Sequence, residues 1–148
     1  MAPQRRQDVL YDVNVWIAVL NRAHPHHLPA VASFSQLQEN QVAVLCRVTQ
    51  LSMFRLLTQR STMGSAILTQ REAWVAYESL VRKDRVLFLN EPEDLESTFR
   101  RVSNRNESSA NRWNDDYLVA FATAAELSLV TFDRALANRS PDSVLLTA

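Results

Sequence analysis

The stretch that decides the fold is WNDDYLVAFATAAELSLVTFDRAL, residues 113–136. Its first part, from Asn114 to Leu127, is apolar on almost every side, which is typical of a helix buried inside a protein rather than lying on its surface. The short apolar run that follows, Ser128 to Phe132, predicts a strand. An acidic residue stands near the start of the helix, Asp115, and another follows the strand, Asp133.

The rest of the chain repeats this alternation of short apolar runs and longer helical patterns. Further strands are predicted at residues 8–11, 42–45, 86–89 and, at the edge of the sheet, 144–146. Helices are predicted at 14–20, 28–38, 48–59, 69–82 and from about residue 93 onward, with a capping box at Thr69 and Glu72. The third of these helices is expected to turn Leu51, Met53, Phe54 and Leu57 inward. Residues 103–112 are nearly free of apolar side chains and predict a mobile loop.

Strands separated by helices imply βαβ crossovers and a mainly parallel sheet of four to five strands. The 148 residues, 47% hydrophobic and 22% charged, are suited to one globular domain spanning 1–148. Sheets of this kind bind ligands beyond the carboxyl ends of their strands. The sequence therefore predicts an α/β protein whose site lies at that edge.

Composition excludes several classes of site. The single glycine, Gly64, excludes the glycine-rich phosphate loops of dinucleotide and nucleotide binding proteins. The single cysteine, Cys46, excludes an internal disulfide and a four-cysteine zinc site, and its apolar neighbours predict a buried thiol. No run of residues is long and apolar enough for a membrane span, and residues 1–7 do not resemble a signal peptide. We therefore expect a cytoplasmic protein with no membrane contact.

Three aspartates are expected at one edge of the sheet. Asp12 follows the first strand, Asp115 opens the buried helix and Asp133 follows the fourth strand. If strands one and four are neighbours, the carboxylates converge, and clustered like charges need a cation to be stable together. Oxygen ligands of this kind suit Mg²⁺ or Mn²⁺. Taken singly, Asp12 is also explained as a helix cap and Asp133 as a turn residue. Asp115 is also explained as a favourable charge at a helix N-terminus, with Asn114 as the cap.

Three segments together resemble the PIN-domain toxins of the VapC type: LYDVNVWIAVLNRAHPHH (10–27), TQLSMFRLLT (49–58) and residues 113–136. The resemblance implies a PIN-like, three-layer α/β/α fold and a metal-dependent endoribonuclease. It also implies a protein that is often a homodimer and is held inactive by a small cognate antitoxin.

The resemblance also assigns residues. Asp12, Asp115 and Asp133 match acidic catalytic and metal positions, while Asn14 and Thr131 match polar positions that support them. Gln50 matches a position where many members have glutamate, so it offers an oxygen atom without charge. This departure favours a second interpretation, a catalytically degenerate PIN domain that binds RNA or a protein partner without cutting.

Other side chains are assigned from their positions near the motifs. Arg112, Trp113 and Arg134 flank the aspartates and are candidates for binding single-stranded RNA, as is Arg55. Asp116 is interpreted as a solvated residue of the first helical turn, although a supporting role at the site is also considered. The cluster His24, His26 and His27 is interpreted as a solvated turn rather than a metal site.

The chemistry that fits these residues is metal-assisted hydrolysis of an RNA phosphodiester. A phosphotransfer enzyme with an aspartyl nucleophile would need a lysine near the strand ends. The only lysine, Lys83, is instead predicted to follow a helix end.

Overall fold

The computed structural model describes residues 7–147 and arranges them around a parallel five-stranded sheet. The strands are β1 (Val9–Tyr11), β2 (Ala43–Leu45), β3 (Val86–Phe88), β4 (Ser128–Thr131) and β5 (Val144–Leu145). Their order across the sheet is β3-β2-β1-β4-β5. The predicted parallel sheet is therefore confirmed, with β1 beside β4 and β5 at an edge.

The helices of the described region are α1 (Val13–Leu20), α2 (His27–Ser35), α3 (Arg47–Leu57), α4 (Arg60–Met63), α5 (Gln70–Val81), α6 (Leu95–Ser103), α7 (Trp113–Ala124) and α8 (Arg134–Ala137). A 3-10 turn spans Gly64–Ala66. The capping box of Thr69 and Glu72 opens α5, as predicted. The short helices α4 and α8 were not predicted, and Gly64, with φ +56°, ends the first of them.

Alternating strand residues divide the interior into two cores. Val9 and Tyr11 of β1 face the core formed with α1, α3 and α5, whereas Leu10 faces the core formed with α6 and α7. The middle of α7, residues 118–122, is buried along its whole length. The sheet is thus covered on both faces, and the three-layer α/β/α expectation is confirmed.

One part of the α3 prediction is wrong. Met53 and Leu57 are buried, as expected, and Phe54 is half-buried, but Leu51 is 59% exposed. Residues two positions apart on a helix are separated by about 200°, so Leu51 and Met53 lie on opposite sides. Trp74 and Val75 of α5 are also at least half exposed, at 50% and 59%.

The prediction that Asp116 is solvated is also wrong. Its side chain is 1% exposed and accepts hydrogen bonds from both terminal nitrogens of Arg105, at 2.8 and 2.9 Å. Arg139, just beyond α8, donates to the same carboxylate. These hydrogen bonds, that of Arg105 first, hold the pKa of Asp116 below its ordinary value. Asp116 therefore ties the loop after α6 and the end of α8 to the first turn of α7.

The histidine turn is confirmed as a turn, but its side chains are not simply solvated. The His26 ring stacks on Phe132 with centroids 4.7 Å apart, and His27 Nδ1 lies 2.7 Å from the Ala18 carbonyl oxygen. Cys46 is buried, as predicted, with its sulfur 3.2 Å from the Thr49 hydroxyl. Among the described residues, none of the helices has the length and apolar character needed to cross a membrane. The predicted N-terminal features at residues 1–6 lie outside the described residues.

Two substitutions in α3 test the corrected packing. Met53→Ala removes a fully buried side chain, so the free energy of unfolding should fall by about 2–5 kcal/mol. Leu51→Ala, two positions away, should change it by less than about 0.5 kcal/mol at protein concentrations where the chain is monomeric, because the side chain is then in solvent. Urea unfolding followed by circular dichroism measures both; equal losses would contradict this orientation of α3.

A second stability test concerns the buried carboxylate. Asp116→Asn leaves two arginines without their charged partner and should lower the melting temperature by roughly 5–10 °C at neutral pH. Because the pKa of Asp116 is lowered on folding, its stabilisation is complete above the ordinary value of 3.8 and is lost as the pH falls through the lowered value. The difference between wild type and variant should therefore shrink in acid.

The matched control for Asp116 is Glu96→Gln. Glu96 forms an ion pair of 3.8 Å with Arg100, but both side chains are largely exposed, at 88% and 75%. Exposed pairs contribute little to stability. Glu96→Gln should leave the melting temperature nearly unchanged, and an Asp116→Asn variant as stable as this control would refute the anchoring role.

Candidate active site

The predicted aspartates lie where neighbouring strands end. Asp12 follows β1 directly, and Asp133 comes two residues after the end of β4. The strands pair in parallel with Tyr11 opposite Val130, and the Asp12 amide donates to the Val130 carbonyl oxygen at 2.9 Å. The next pair in the register is therefore Asp12 and Thr131, at the carboxyl edge of the sheet.

The Thr131 hydroxyl connects two of the aspartates. It is completely buried, donates to Asp12 Oδ2 at 2.8 Å and accepts from the Asp133 amide at 2.9 Å. The other Asp12 oxygen accepts from the Val13 amide at 2.7 Å, so Asp12 also caps α1. Asp12 is only 8% exposed, and these hydrogen bonds fix the orientation of its carboxylate.

Asp133 and Asp115 complete the cluster. Asp133 is exposed and caps α8, accepting from the amides of Ala135 and Leu136. Asp115 is half-buried in the first turn of α7. The interpretation of Asp12 as a helix cap is therefore confirmed, and Asp133, interpreted as a turn residue, is also a helix cap. Capping a helix does not exclude a place in the site.

The electrostatics link all three carboxylates. Burial raises the pKa of Asp12, and the charges of Asp115 and Asp133 raise it further, against the hydrogen bonds from Thr131 and Val13. Burial also raises the pKa of Asp115, as does the charge of Asp133, while Arg139 opposes the shift. The charge of Asp133 therefore makes ionisation of Asp12 and of Asp115 less favourable, which an added cation would reverse.

The donor set fits a hard divalent cation. It offers three carboxylates, and the side-chain oxygen of Asn14 in the first turn of α1 is buried and has no hydrogen-bond partner among residues 7–147. Mg²⁺ commonly takes only one or two carboxylates and keeps several waters. Within residues 7–147, no three His, Cys, Asp or Glu side chains already stand in a metal-holding arrangement.

The candidate RNA-binding residues lie on two sides of the molecule. Arg112 precedes α7, Trp113 begins it and Arg134 begins α8, so all three adjoin the aspartates in sequence, and all are exposed. Trp113 also lines a cavity of about 790 Å³ between α6 and the loop of residues 104–112. Arg55 is different, because it lies near the end of α3, in a groove with Phe54 and Trp74.

Gln50 has well-defined partners. It is 4% exposed in α3, accepts a hydrogen bond of 2.5 Å from Arg47 Nη1 and lies near Tyr77 of α5. None of the aspartates is among these partners. Whether Gln50 replaces an acidic ligand therefore stays a prediction, since its observed contacts are with Arg47 of the same helix and with Tyr77 of α5.

Sequence reasoning missed three arginines near these side chains. Arg105 and Arg139 hold Asp116, and Arg47 contacts Gln50. Arg105 lies in the polar segment interpreted as a loop, and Arg139 follows a helix too short to show periodicity. Asp116 is 11 residues from Arg105 and 23 residues from Arg139 in sequence, so no local sequence pattern predicts these contacts.

The comparisons with known proteins agree with this architecture. The profile of the PIN domain matches residues 9–140. Ribonuclease VapC41 of Mycobacterium tuberculosis is 38% identical over 131 residues, which are 86% of this chain and 90% of that protein. The residues matched by the profile include all three aspartates.

Solved structures share the fold at low sequence identity. VapBC2 from Rickettsia felis, bound to a DNA fragment from its promoter, aligns with a TM-score of 0.69 and 12% identity, covering 94% of this chain and 98% of its own. VapC20 of Mycobacterium tuberculosis, a toxin that cleaves the sarcin–ricin loop, aligns with a TM-score of 0.65 and 15% identity, covering 88% and 94%. The chain belongs to the PIN-domain family, and within that family to the VapC-type ribonucleases.

Proposed function

We propose that this VapC-type ribonuclease is an endoribonuclease that cuts RNA phosphodiesters with a divalent metal ion, Mg²⁺ or Mn²⁺, held by Asp12, Asp115 and Asp133. One observation carries the proposal. Burial raises the pKa of both Asp12 and Asp115, and the charge of Asp133 at the same edge raises both further. A cluster of this kind costs stability unless a cation binds to it. When bound, such an ion lowers the pKa of a water molecule and offsets negative charge on the phosphate.

The residues around the aspartates support this assignment. Thr131 holds Asp12 and the backbone of Asp133 through one hydroxyl, so it keeps two ligands in a fixed relation. Asn14 contributes an oxygen that has no other partner among the described residues. Asp116 helps to position Asp115, because its ion pairs with Arg105 and Arg139 anchor the first turn of α7, which carries both aspartates.

We assign substrate binding to side chains that flank the aspartates. Arg112 and Arg134 are exposed cations suited to phosphate, and Trp113, 56% exposed, offers a face on which a base stacks. Arg55 is the weakest member of the predicted RNA-binding set, because it lies at the far end of α3.

A second candidate function is RNA or partner binding without cleavage. The observation that favours it is Gln50, a neutral side chain at a position that the family resemblance matches to a glutamate. Its hydrogen bond from Arg47 gives its buried oxygen a partner without a metal role. Cleavage by the purified protein decides between the two functions.

We also propose that the protein is the toxin of a toxin–antitoxin pair, with a small cognate antitoxin as its partner. The likeness to VapBC2, whose structure was solved as a complex, supports this partner. The buried free thiol of Cys46 is in keeping with a reducing cytoplasm. We further propose that residues 1–148 act as one PIN domain, since the family profile spans most of them.

The metal assignment predicts a specific pattern of activity. Asp12→Asn and Asp115→Asn should each reduce cleavage of RNA in Mg²⁺ or Mn²⁺ by more than the roughly 10–100-fold typical of losing a supporting residue. Thr131→Val should fall within that range. Metal should raise the melting temperature of the wild type, because it binds only the folded state, and should fail to do so in the aspartate variants.

The control for these variants is Asp84→Asn. Asp84 is exposed in the turn before β3, at the opposite edge of the sheet, so the same chemical change should leave cleavage and metal stabilisation intact. Near wild-type cleavage by either Asp12→Asn or Asp115→Asn would mean that the metal site is wrongly assigned.

We propose a homodimer formed through the exposed apolar side chains of α3 and α5. Leu51, Trp74 and Val75 are each at least half exposed. Leu51→Glu and Val75→Glu place charges on this surface and should shift the protein toward monomer in light scattering. Leu28→Glu on α2, at a side chain 79% exposed, is the matched control. A wild type that stays monomeric at about 200 µM would contradict the dimer.

A further inference from the structure

Three side chains meet at the start of α3, beside the proposed active site. The guanidinium carbon of Arg47 lies 4.8 Å from the centre of the Phe88 ring. Arg47 Nη1 also donates to Gln50 Oε1 at 2.5 Å. Gln50 is buried, whereas Arg47 is exposed. An exposed arginine is normally free to sample many rotamers, but this one is held by a ring and by an acceptor.

The strand register locates this group relative to the aspartates. β1 and β2 pair in parallel, with Val9 opposite Ala43 and Leu10 opposite Val44. Two further steps bring Asp12 opposite Cys46, which directly precedes Arg47. Leu45 pairs with Phe88 on the next strand. Because adjacent strands lie about 4.8 Å apart, Arg47 and Phe88 lie at the same carboxyl edge as Asp12, on the side away from Asp133.

Arg47 forms no ion pair within the described part of the chain. No carboxylate there lies within ion-pair distance of it, and its hydrogen bond goes to a neutral amide. Asp116 shows the contrasting arrangement, with two arginines committed to one buried acid. A guanidinium has five N–H donors, and the bond to Gln50 occupies one of them. The remaining donors form a planar fork that matches a phosphate group.

We propose that Arg47, oriented by Gln50 and Phe88, binds a backbone phosphate of single-stranded RNA one strand away from the aspartate cluster. Gln50 is then a positioning residue, which acts on the substrate through Arg47. A glutamate at this position would pair with Arg47 and neutralise the charge that a phosphate requires. The neutral amide keeps the guanidinium in place and leaves its charge available. This inference rests on the proposed RNA substrate and names a further residue that contacts it.

The test measures binding rather than cleavage. In the Asp12→Asn background, which should not cut, a fluorescent single-stranded RNA oligonucleotide is titrated with protein in EDTA over a series of salt concentrations. Arg47→Gln should weaken binding by about 5–10-fold. It should also reduce the slope of log K against log salt by about 0.7, the loss of one phosphate contact.

The matched control is Arg82→Gln. Arg82 is exposed and follows α5, before β3 begins, so it lies toward the amino edge of the sheet. The substitution removes the same charge and should leave both the affinity and the salt slope unchanged. If Arg82→Gln and Arg47→Gln have equal effects, the contribution of Arg47 is only that of net charge, and the proposed contact is overturned.

Gln50→Glu tests the positioning role with a second readout. It should lower RNA affinity and the salt slope as Arg47→Gln does, because the new carboxylate pairs with Arg47. In the wild-type background it should leave Mn²⁺ affinity, measured by calorimetry, unchanged. Tighter Mn²⁺ binding would place residue 50 at the metal instead and overturn this role.

The outcomes separate this inference from the function on which it rests. If wild-type protein cuts RNA but Arg47→Gln binds RNA as its parent does, only the Arg47 contact is wrong. If the parent binds no RNA at all, both proposals fail. Thermal melting of each variant verifies that lost binding is not lost folding.

Discussion

The candidate site depends on a single hydroxyl group. Thr131 is the last residue of β4 and is completely buried, and its hydroxyl donates to Asp12 and accepts from the Asp133 amide. This geometry requires β1 and β4 to be neighbours in parallel register, because only then do the ends of two strands that are far apart in sequence meet. The crossovers that place β1 at the centre of the sheet are therefore a condition for the cluster.

Adjacent acids in α7 have opposite electrostatic environments. Burial and the charge of Asp133 raise the pKa of Asp115, whereas hydrogen bonds from Arg105 and Arg139 lower that of Asp116. Consecutive helix residues point about 100° apart, so one carboxylate faces the cluster and the other faces the arginines. Asp116 satisfies its charge within the protein, and Asp115 does not. The stable ion pairs thus anchor the helix that presents the repelling carboxylate.

Much of the fold could be predicted because it follows from local patterns. The apolar runs of the strands and the apolar length of α7 are visible in any short window of sequence, and the positions of Asp12 and Asp133 follow from parallel topology. The four-residue helices α4 and α8 are too short to show a period. The environment of Asp116 could not be predicted for another reason. It depends on two arginines that tertiary packing brings together, and the spacing of residues in a short window of sequence does not show such contacts.

Gln50 shows how a departure from a family pattern has more than one physical consequence. From sequence, a glutamine that matches a glutamate of the family predicts a site with one charged metal ligand fewer. In the structure the side-chain oxygen of Gln50 accepts a hydrogen bond from Arg47. A carboxylate there would hold Arg47 equally well but would cancel its charge. The amide of Gln50 therefore keeps the charged Arg47 in a fixed position beside the aspartate cluster. This arrangement suits RNA, whose backbone is negatively charged and which would contact the metal at one phosphate.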